Sequence, residues 1–320
     1  MLMPKPGSFS ITVREAAGIA GIIAPFNAPI ALAIRSLAPA LAAGTTAVVK
    51  LPGLTAQTNA MLSKAISETT GLPKGVINII TESGIEGSRY LVESPDVPVI
   101  SFTGSSKTGR AIAAAGAAQL KRFILELGGK TPMVIFDDAD LQTAVFTIEK
   151  AITIFSGQFC MTGSRILVQR GIAEKVRKAL AEGPKGAFYR PTLLEVTDSR
   201  LPIVQEEVFG PVATFQIFDT EAEAILLAND SEYGLAASIW TRDIDRPWRV
   251  AKGIQAGTIW INTYAQIFPE FEEGGYKQSG TGRLNGEAAL EDFLEYKHIS
   301  FNPGIPDAAA APHVKDHPIC

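Results

Sequence analysis

Three side chains in this sequence have the types and settings that nucleophilic and acid–base chemistry needs. Cys160 stands in SGQFCMTGSR, between two glycines and just beyond an apolar helical stretch. A free thiol with a pKa near ~8.5 is only a few per cent thiolate at neutral pH, so a nucleophilic cysteine needs oriented amides or a nearby cation. A lone cysteine among apolar residues is more often inert core. Glu126 follows three apolar residues in FILELGGK. Burial there would raise its pKa toward general-base range, and the alternative is a strand-end ion pair, for instance with Lys130. Asn27, in PFNAP at a strand end, can offer its amide to an oxyanion or cap the helix that follows. In SFTGSSKTG the amides of Gly104, Ser105 and Ser106 open a helix and can either point at an anion or serve as a plain helix cap.

Other chemistries lack their residues. The only histidines are His298, His313 and His317, all late in the chain, which leaves little for a Ser–His–Asp site. There is no HExxH, no Cys/His cluster with zinc spacing, no P-loop and no strict G-x-G-x-x-G, so no metal site is expected.

The elements that must hold these residues alternate in type. The runs IAGIIAPF, TAVVKL, VINIIT and PVISFTG read as strands, separated by Ala-rich helical stretches. That alternation implies a parallel sheet covered by helices, hence an α/β fold whose ligands sit beyond the carboxyl ends of the strands. Those ends are Phe26–Asn27, Lys50–Leu51, Thr81–Glu82 and Thr103–Ser105. RFILELGG reads as a further strand, and Leu141–Phe155 as an amphipathic helix capped by Asp140. A second α/β region follows to about Asn262. EEGGYKQSGTGRLNG reads as a Gly-rich loop and the stretch after Asn302 as a disordered tail.

Length and composition bound the rest. At roughly 100–200 residues per domain, 320 residues suggest two or three domains. A hydrophobic share of 46% excludes disorder, and 29 basic against 33 acidic residues with no basic run argue against nucleic acid. The uncharged run Ala16–Ile34 is of membrane-spanning length, but Pro25, Asn27 and Pro29 break it into strand, turn and helix; no membrane association is expected. With two cysteines, Cys160 and Cys320, a reducing compartment is expected.

Eight pieces in this order resemble the aldehyde dehydrogenase superfamily: PFNAP at 25–29, VVK at 48–50, FTGS at 102–105, ELGGK at 126–130, GQFC at 157–160, EEVFGP at 206–211, GTIWIN at 257–262 and GGYKQSGTGR at 274–283. The resemblance spans Val13 to Ile299. It implies a Rossmann-like parallel-sheet cofactor domain and a second α/β catalytic domain, both incomplete. The implied division is 1–129 for the cofactor domain with an N-terminal oligomerisation strand, 130–290 for the catalytic domain, 291–302 for a second oligomerisation strand and 303–320 for the tail. By resemblance Cys160 is the nucleophile, Asn27 with the Cys160 N–H holds the oxyanion, and Glu126 activates water. Lys50 matches the lysine at the adenosine ribose, Gly104 and Ser105 the pyrophosphate contact, and Glu207 and Phe209 the nicotinamide-ribose pair; Leu127 joins the cofactor set. The reaction implied is oxidation of a small-molecule aldehyde to a free acid with NAD, in a cytoplasmic homo-dimer or homo-tetramer.

Several departures qualify that expectation. The family's usual acid three residues after the lysine is Gly53 here, which keeps NADP open. Glu82 stands where glycine is common, and Glu272–Glu273 where Pro-Phe often precedes GGYK. The family's N-terminal third has no counterpart, and a second gap falls near Glu182–Gly183. A catalytically inactive remnant with a nucleotide-binding or structural role is therefore the alternative.

Overall fold

The computed structural model describes residues 9–181 and 190–302; the expected tail and the gap near 182–183 lie outside them. In the first half the chain runs β1 (Phe9–Ala16), β2 (Ile19–Ile23), α1 (Pro29–Ala42), β3 (Thr46–Pro52), α2 (Ala56–Ser67), β4 (Ile77–Glu82), α3 (Glu86–Glu93), β5 (Val99–Thr103), α4 (Ser106–Gly116) and β6 (Arg122–Glu126). The second half runs β7 (Pro132–Ile135), α5 (Leu141–Thr153), β8 (Arg165–Gln169), α6 (Arg170–Ala181), β9 (Thr192–Glu195), α7 (Pro202–Gln205) and β10 (Val212–Phe218). It continues through α8 (Glu221–Asn229), β11 (Tyr233–Gly234), β12 (Ala236–Trp240), α9 (Arg246–Gly253), β13 (Thr258–Ile261), β14 (Tyr276–Lys277), β15 (Gly280–Thr281) and β16 (Leu294–Phe301).

The first sheet has the order β4-β3-β2-β5-β6-β15, parallel except for β15. Both faces of its central strands are covered, which is why those strands are continuous apolar runs rather than alternating ones. Ile22, Leu37, Val49 and Val99 pack on one face. Ile23, Leu91, Ile100 and Leu125 pack on the other. The order reverses between β2 and β5, so their carboxyl ends flank the crevice where such sheets hold ligands.

The second sheet, β13-β12-β7-β8-β10-β9, is wholly parallel, and its core is built on Met133, Ile148, Ile166, Phe215 and Trp260. The Gly-rich segment is not a loop throughout. Its β14 pairs with β11 beside the second sheet, while β15 pairs with Glu126 and Leu125 of β6 in the first. Leu284 and Phe293 then pack into the first sheet's core. The chain thus crosses back from the second unit before β1 and β16 pair as a separate two-stranded ribbon.

The apolar run 16–34 resolves into β2, a turn and the start of α1, as its prolines suggested. Among the described residues no helix is long and apolar enough to cross a membrane.

Candidate active site

The loop that carries Cys160 is shaped by backbone sterics. Helix α5 starts as expected, with the Asp140 carboxylate accepting from the Thr143 N–H at 2.9 Å. It ends at Thr153 rather than Phe155, because Phe155 (φ 49°), Ser156 (φ 59°) and Gly157 (φ 77°) all turn left-handed. Non-glycine residues held in that region store strain, of order 1–3 kcal/mol each. Gly157 is required on a second ground: a Cβ there would lie 2.1 Å from the carbonyl carbon of Gly210. The tight turn throws Phe159 and Cys160 against the second sheet's core.

Two expected site residues, Asn27 and Cys160, meet at this loop. The Asn27 side-chain amide donates to the Gln158 carbonyl at 2.9 Å, two residues before the cysteine. The cap of α1 is Ala28, with no side-chain cap, so Asn27 is not a helix cap. Gly129 backs onto the same loop, where a Cβ would come 2.3 Å from the Cys160 carbonyl oxygen. The Cys160 N–H has no acceptor among the described residues. Burial pushes the Cys160 thiol up to about 12, with Arg35 pulling it down and the Glu273, Glu126 and Glu207 carboxylates adding to the rise.

Glu126 ends β6 and is 4% exposed. Burial pushes its carboxyl up to about 8, Arg35 opposes the rise, and Glu273 adds to it. Its Oε1 is buried with no hydrogen-bond partner. The expected partner Lys130 is engaged elsewhere, donating to the Glu206 carbonyl at 2.8 Å. The cation near Glu126 is instead Arg35, with its Nη2 at 4.0 Å.

The residues expected to contact a cofactor lie on several elements. Ser105 caps α4, accepting from the Thr108 N–H at 3.2 Å, so the helix-cap reading holds for that side chain. The Gly104 N–H donates to the Glu126 carbonyl at 3.0 Å, which removes it from the expected anion-facing amides. The Ser106 and Lys107 amides have no acceptor among the described residues and keep the helix N-terminus open to an anion. Glu207 is fixed by the Gly129 N–H at 3.1 Å, and Phe209 (φ 56°) meets Phe26 edge-on at 6.1 Å. Leu127 is buried against Gly109 of α4 and seats that helix.

Lys50 lies two residues before the end of β3, paired with Ile80 of β4, and its charge reaches Glu82 at the end of β4. The Glu82 carboxylate accepts from the Gly87 and Ser88 amides at the start of α3, at 2.9 and 3.1 Å. Burial works against its ionisation, but those bonds and the Lys50 charge hold its carboxyl below the usual range. At Gly53 a Cβ would lie 2.3 Å from Ser83 Oγ, so a serine fills the space beside the absent acid.

Two residues of this site were not assigned roles from sequence. Arg35 is the only charged residue of α1, and a single charge in an apolar, half-buried helix is a signal of a partner that went unused in reading the sequence. That partner is Glu273, whose Oε2 lies 2.6 Å from Arg35 Nη1. It gives a structural reason for the acid that replaces an aromatic before GGYK.

Comparison with known proteins agrees with this geometry. The sequence model described as "Aldehyde dehydrogenase family" matches residues 1–185 and 181–299. The chain is 38% identical over 353 residues to the betaine aldehyde dehydrogenase of Bacillus subtilis (strain 168), covering 93% of this chain and 72% of that protein. It superposes with a TM-score of 0.90 on the betaine aldehyde dehydrogenase of Staphylococcus aureus in complex with NAD+, at 36% identity over 98% of this chain and 73% of that one. An NAD-dependent aldehyde dehydrogenase from Sinorhizobium meliloti gives 0.89 at 31% identity, over 95% and 70%. The match in two stretches, and an alignment longer than the part of this chain it draws on, mean that the Bacillus protein carries residues with no counterpart here.

Proposed function

The chain belongs to the aldehyde dehydrogenase family, and from that premise we propose how it oxidises an aldehyde to a carboxylic acid with NAD+: through a hemithioacetal and a thioester on Cys160, with Glu126 as the general base. NAD+ supplies, when bound, the acceptor for the hydride that leaves the aldehyde carbon. The Cys160 thiolate attacks that carbon, forming the C–S bond as the carbonyl π pair moves to oxygen. The Asn27 amide and the Cys160 N–H donate to the oxyanion. In the second half Glu126 takes a proton from water, the water oxygen bonds to the acyl carbon, and the C–S bond breaks to return the thiolate. The observation that carries this reading is convergence: the Asn27 amide is bonded at Gln158, the Cys160 N–H has no acceptor among the described residues, and the buried Glu126 carboxyl with its open Oε1 is near enough for its charge to bear on the Cys160 thiol.

NAD+ fits the residues present. The open amides of Ser106 and Lys107, with Ser105, suit its pyrophosphate; Lys50 suits the adenosine ribose, and Glu207 with Phe209 the nicotinamide ribose and ring. The amides that open α3 are already occupied by Glu82, whose negative charge disfavours a 2′-phosphate beside it. We assign NAD over NADP on that ground. The aromatic residues Phe155, Phe159, Tyr264 and Phe268 suit an aryl or medium aliphatic aldehyde, and the named relatives add betaine aldehyde as a candidate. A homo-dimer or homo-tetramer in the cytoplasm completes the proposal, from the exposed ribbon of β1 and β16 and the free Cys160 thiol.

A second reading, an inactive nucleotide-binding remnant, is favoured by the internal residues that the Bacillus protein has and this chain lacks. The two separate in one assay: NADH formation with aliphatic and aromatic aldehydes and betaine aldehyde, run beside Cys160→Ala. Turnover that vanishes in the variant supports the dehydrogenase. A folded chain that binds NAD+ without turnover selects the remnant.

A further inference from the structure

The pair Arg35–Glu273 carries an inference beyond the reaction just described, though it rests on Cys160 and Glu126 in their proposed roles. Taking two charges out of water is costly, and a buried pair repays that cost poorly as mere stabilisation. Here it is set against the reacting groups. Arg35 is 12% exposed and Glu273 6%, and their 2.6 Å contact is anchored from the Glu273 side. Glu273 is fixed by two backbone bonds to Leu284, at 2.7 and 2.8 Å, and by the Asn285 amide at 3.1 Å. Its carboxylate therefore holds the guanidinium at a set position.

From that position Arg35 faces a crowd of acids. Glu126, Glu207 and Glu273 all press negative charge on Cys160 from different elements, while Arg35 opposes them. Around Glu126 the facing charges are Arg35, Glu273 and Arg283. The 4.0 Å separation from Glu126 is an ion-pair distance, beyond a hydrogen bond. Arg35 thus steadies the carboxylate while leaving Oε1 to accept a proton. Its own Nε is buried and unpaired, the counterpart of that open oxygen.

We propose that Arg35, clamped by Glu273, is a positioning residue of this active site: it holds the Glu126 carboxylate and balances the negative charge that forms at the Cys160 sulfur. Without it, the thiolate would form beside three carboxylates with no opposing charge from α1.

The test reads the sulfur directly. The rate at which iodoacetamide labels the Cys160 peptide at one fixed pH, followed by mass spectrometry, tracks the thiolate fraction in the full chain without turnover. Five proteins are compared: wild type, Arg35→Lys, Arg35→Gln, Glu273→Gln and the double variant Arg35→Gln/Glu273→Gln. An opposite charge close by lowers the pKa of an acid by about 1–3. The rate should therefore fall about tenfold or more in Arg35→Gln and stay near wild type in Arg35→Lys. The double variant removes the unpaired Glu273 that could unfold the single one; because Glu273 itself pushes the thiol up, the double variant is read against Glu273→Gln, and slower labelling than in that variant supports the proposal. A folded double variant that labels as fast as Glu273→Gln overturns it and leaves the pair a packing feature. A wild type that labels as expected but makes no NADH overturns the proposed reaction instead.

Discussion

Cys160, Glu126 and Arg35 show how environment decides what a residue type can do. The same carboxyl that titrates near 4.5 in an unfolded chain is pushed up to about 8 at Glu126, because burial outweighs the pull of Arg35. A raised folded-state value binds the proton more tightly in the native protein. The resulting stability is complete below about 4.5 and is lost as pH rises through about 8. Glu126→Gln carries no such titration. The melting temperature of the variant relative to wild type should therefore be flat below that window and climb across it, while acid release fails. A difference that does not vary with pH would contradict a buried, protonated Glu126.

At the scale of elements, the site depends on how α5 begins and ends. Asp140 caps its first turn, and removing such a cap costs about 1 kcal/mol. Asp140→Ala should lower the unfolding free energy read from a urea titration by that amount and Asp140→Asn should recover most of it, since the exposed Arg242 pair contributes little. The other end of α5 has no sequence signal of comparable strength. Phe155 and Ser156 are ordinary in type, yet they turn left-handed just before Gly157, whose missing Cβ lets it lie against Gly210 of a distant loop. The expected helix to Phe155 thus stops two residues early, and the shortening is what places Cys160.

Across the whole molecule, the ribbon of β1 and β16 stands apart from both sheets. A two-stranded ribbon alone is marginally stable in water. This one exposes Phe9, Ile11, Ile299 and Phe301 on one face, with the two Phe rings stacked at 5.0 Å. Such a surface suits a second copy of the chain. Ile11 and Ile299 pair directly, so Ile11→Glu with Ile299→Lys keeps a favourable cross-strand pair while removing the apolar face. Sedimentation velocity should show the variant shifted to a smaller species. An unchanged distribution would count against the ribbon as a contact between copies.

Local chemistry made much of this protein readable in one dimension. Buried parallel strands must be apolar runs, turns need their glycines and prolines, and eight motifs in order reproduced a known family, so the α/β class and the family were legible in the sequence, with Asn27, Glu126 and Cys160 as its candidate residues. Partnerships were not. Which cation Glu126 faces, whether Asn27 caps a helix or reaches Gln158, and where the GGYK segment pairs are contacts between residues as far apart as Arg35 and Glu273. Such contacts follow from sheet order and chain crossing, which no local spacing encodes; only the tertiary structure turned a lone arginine and an odd glutamate into a buried pair.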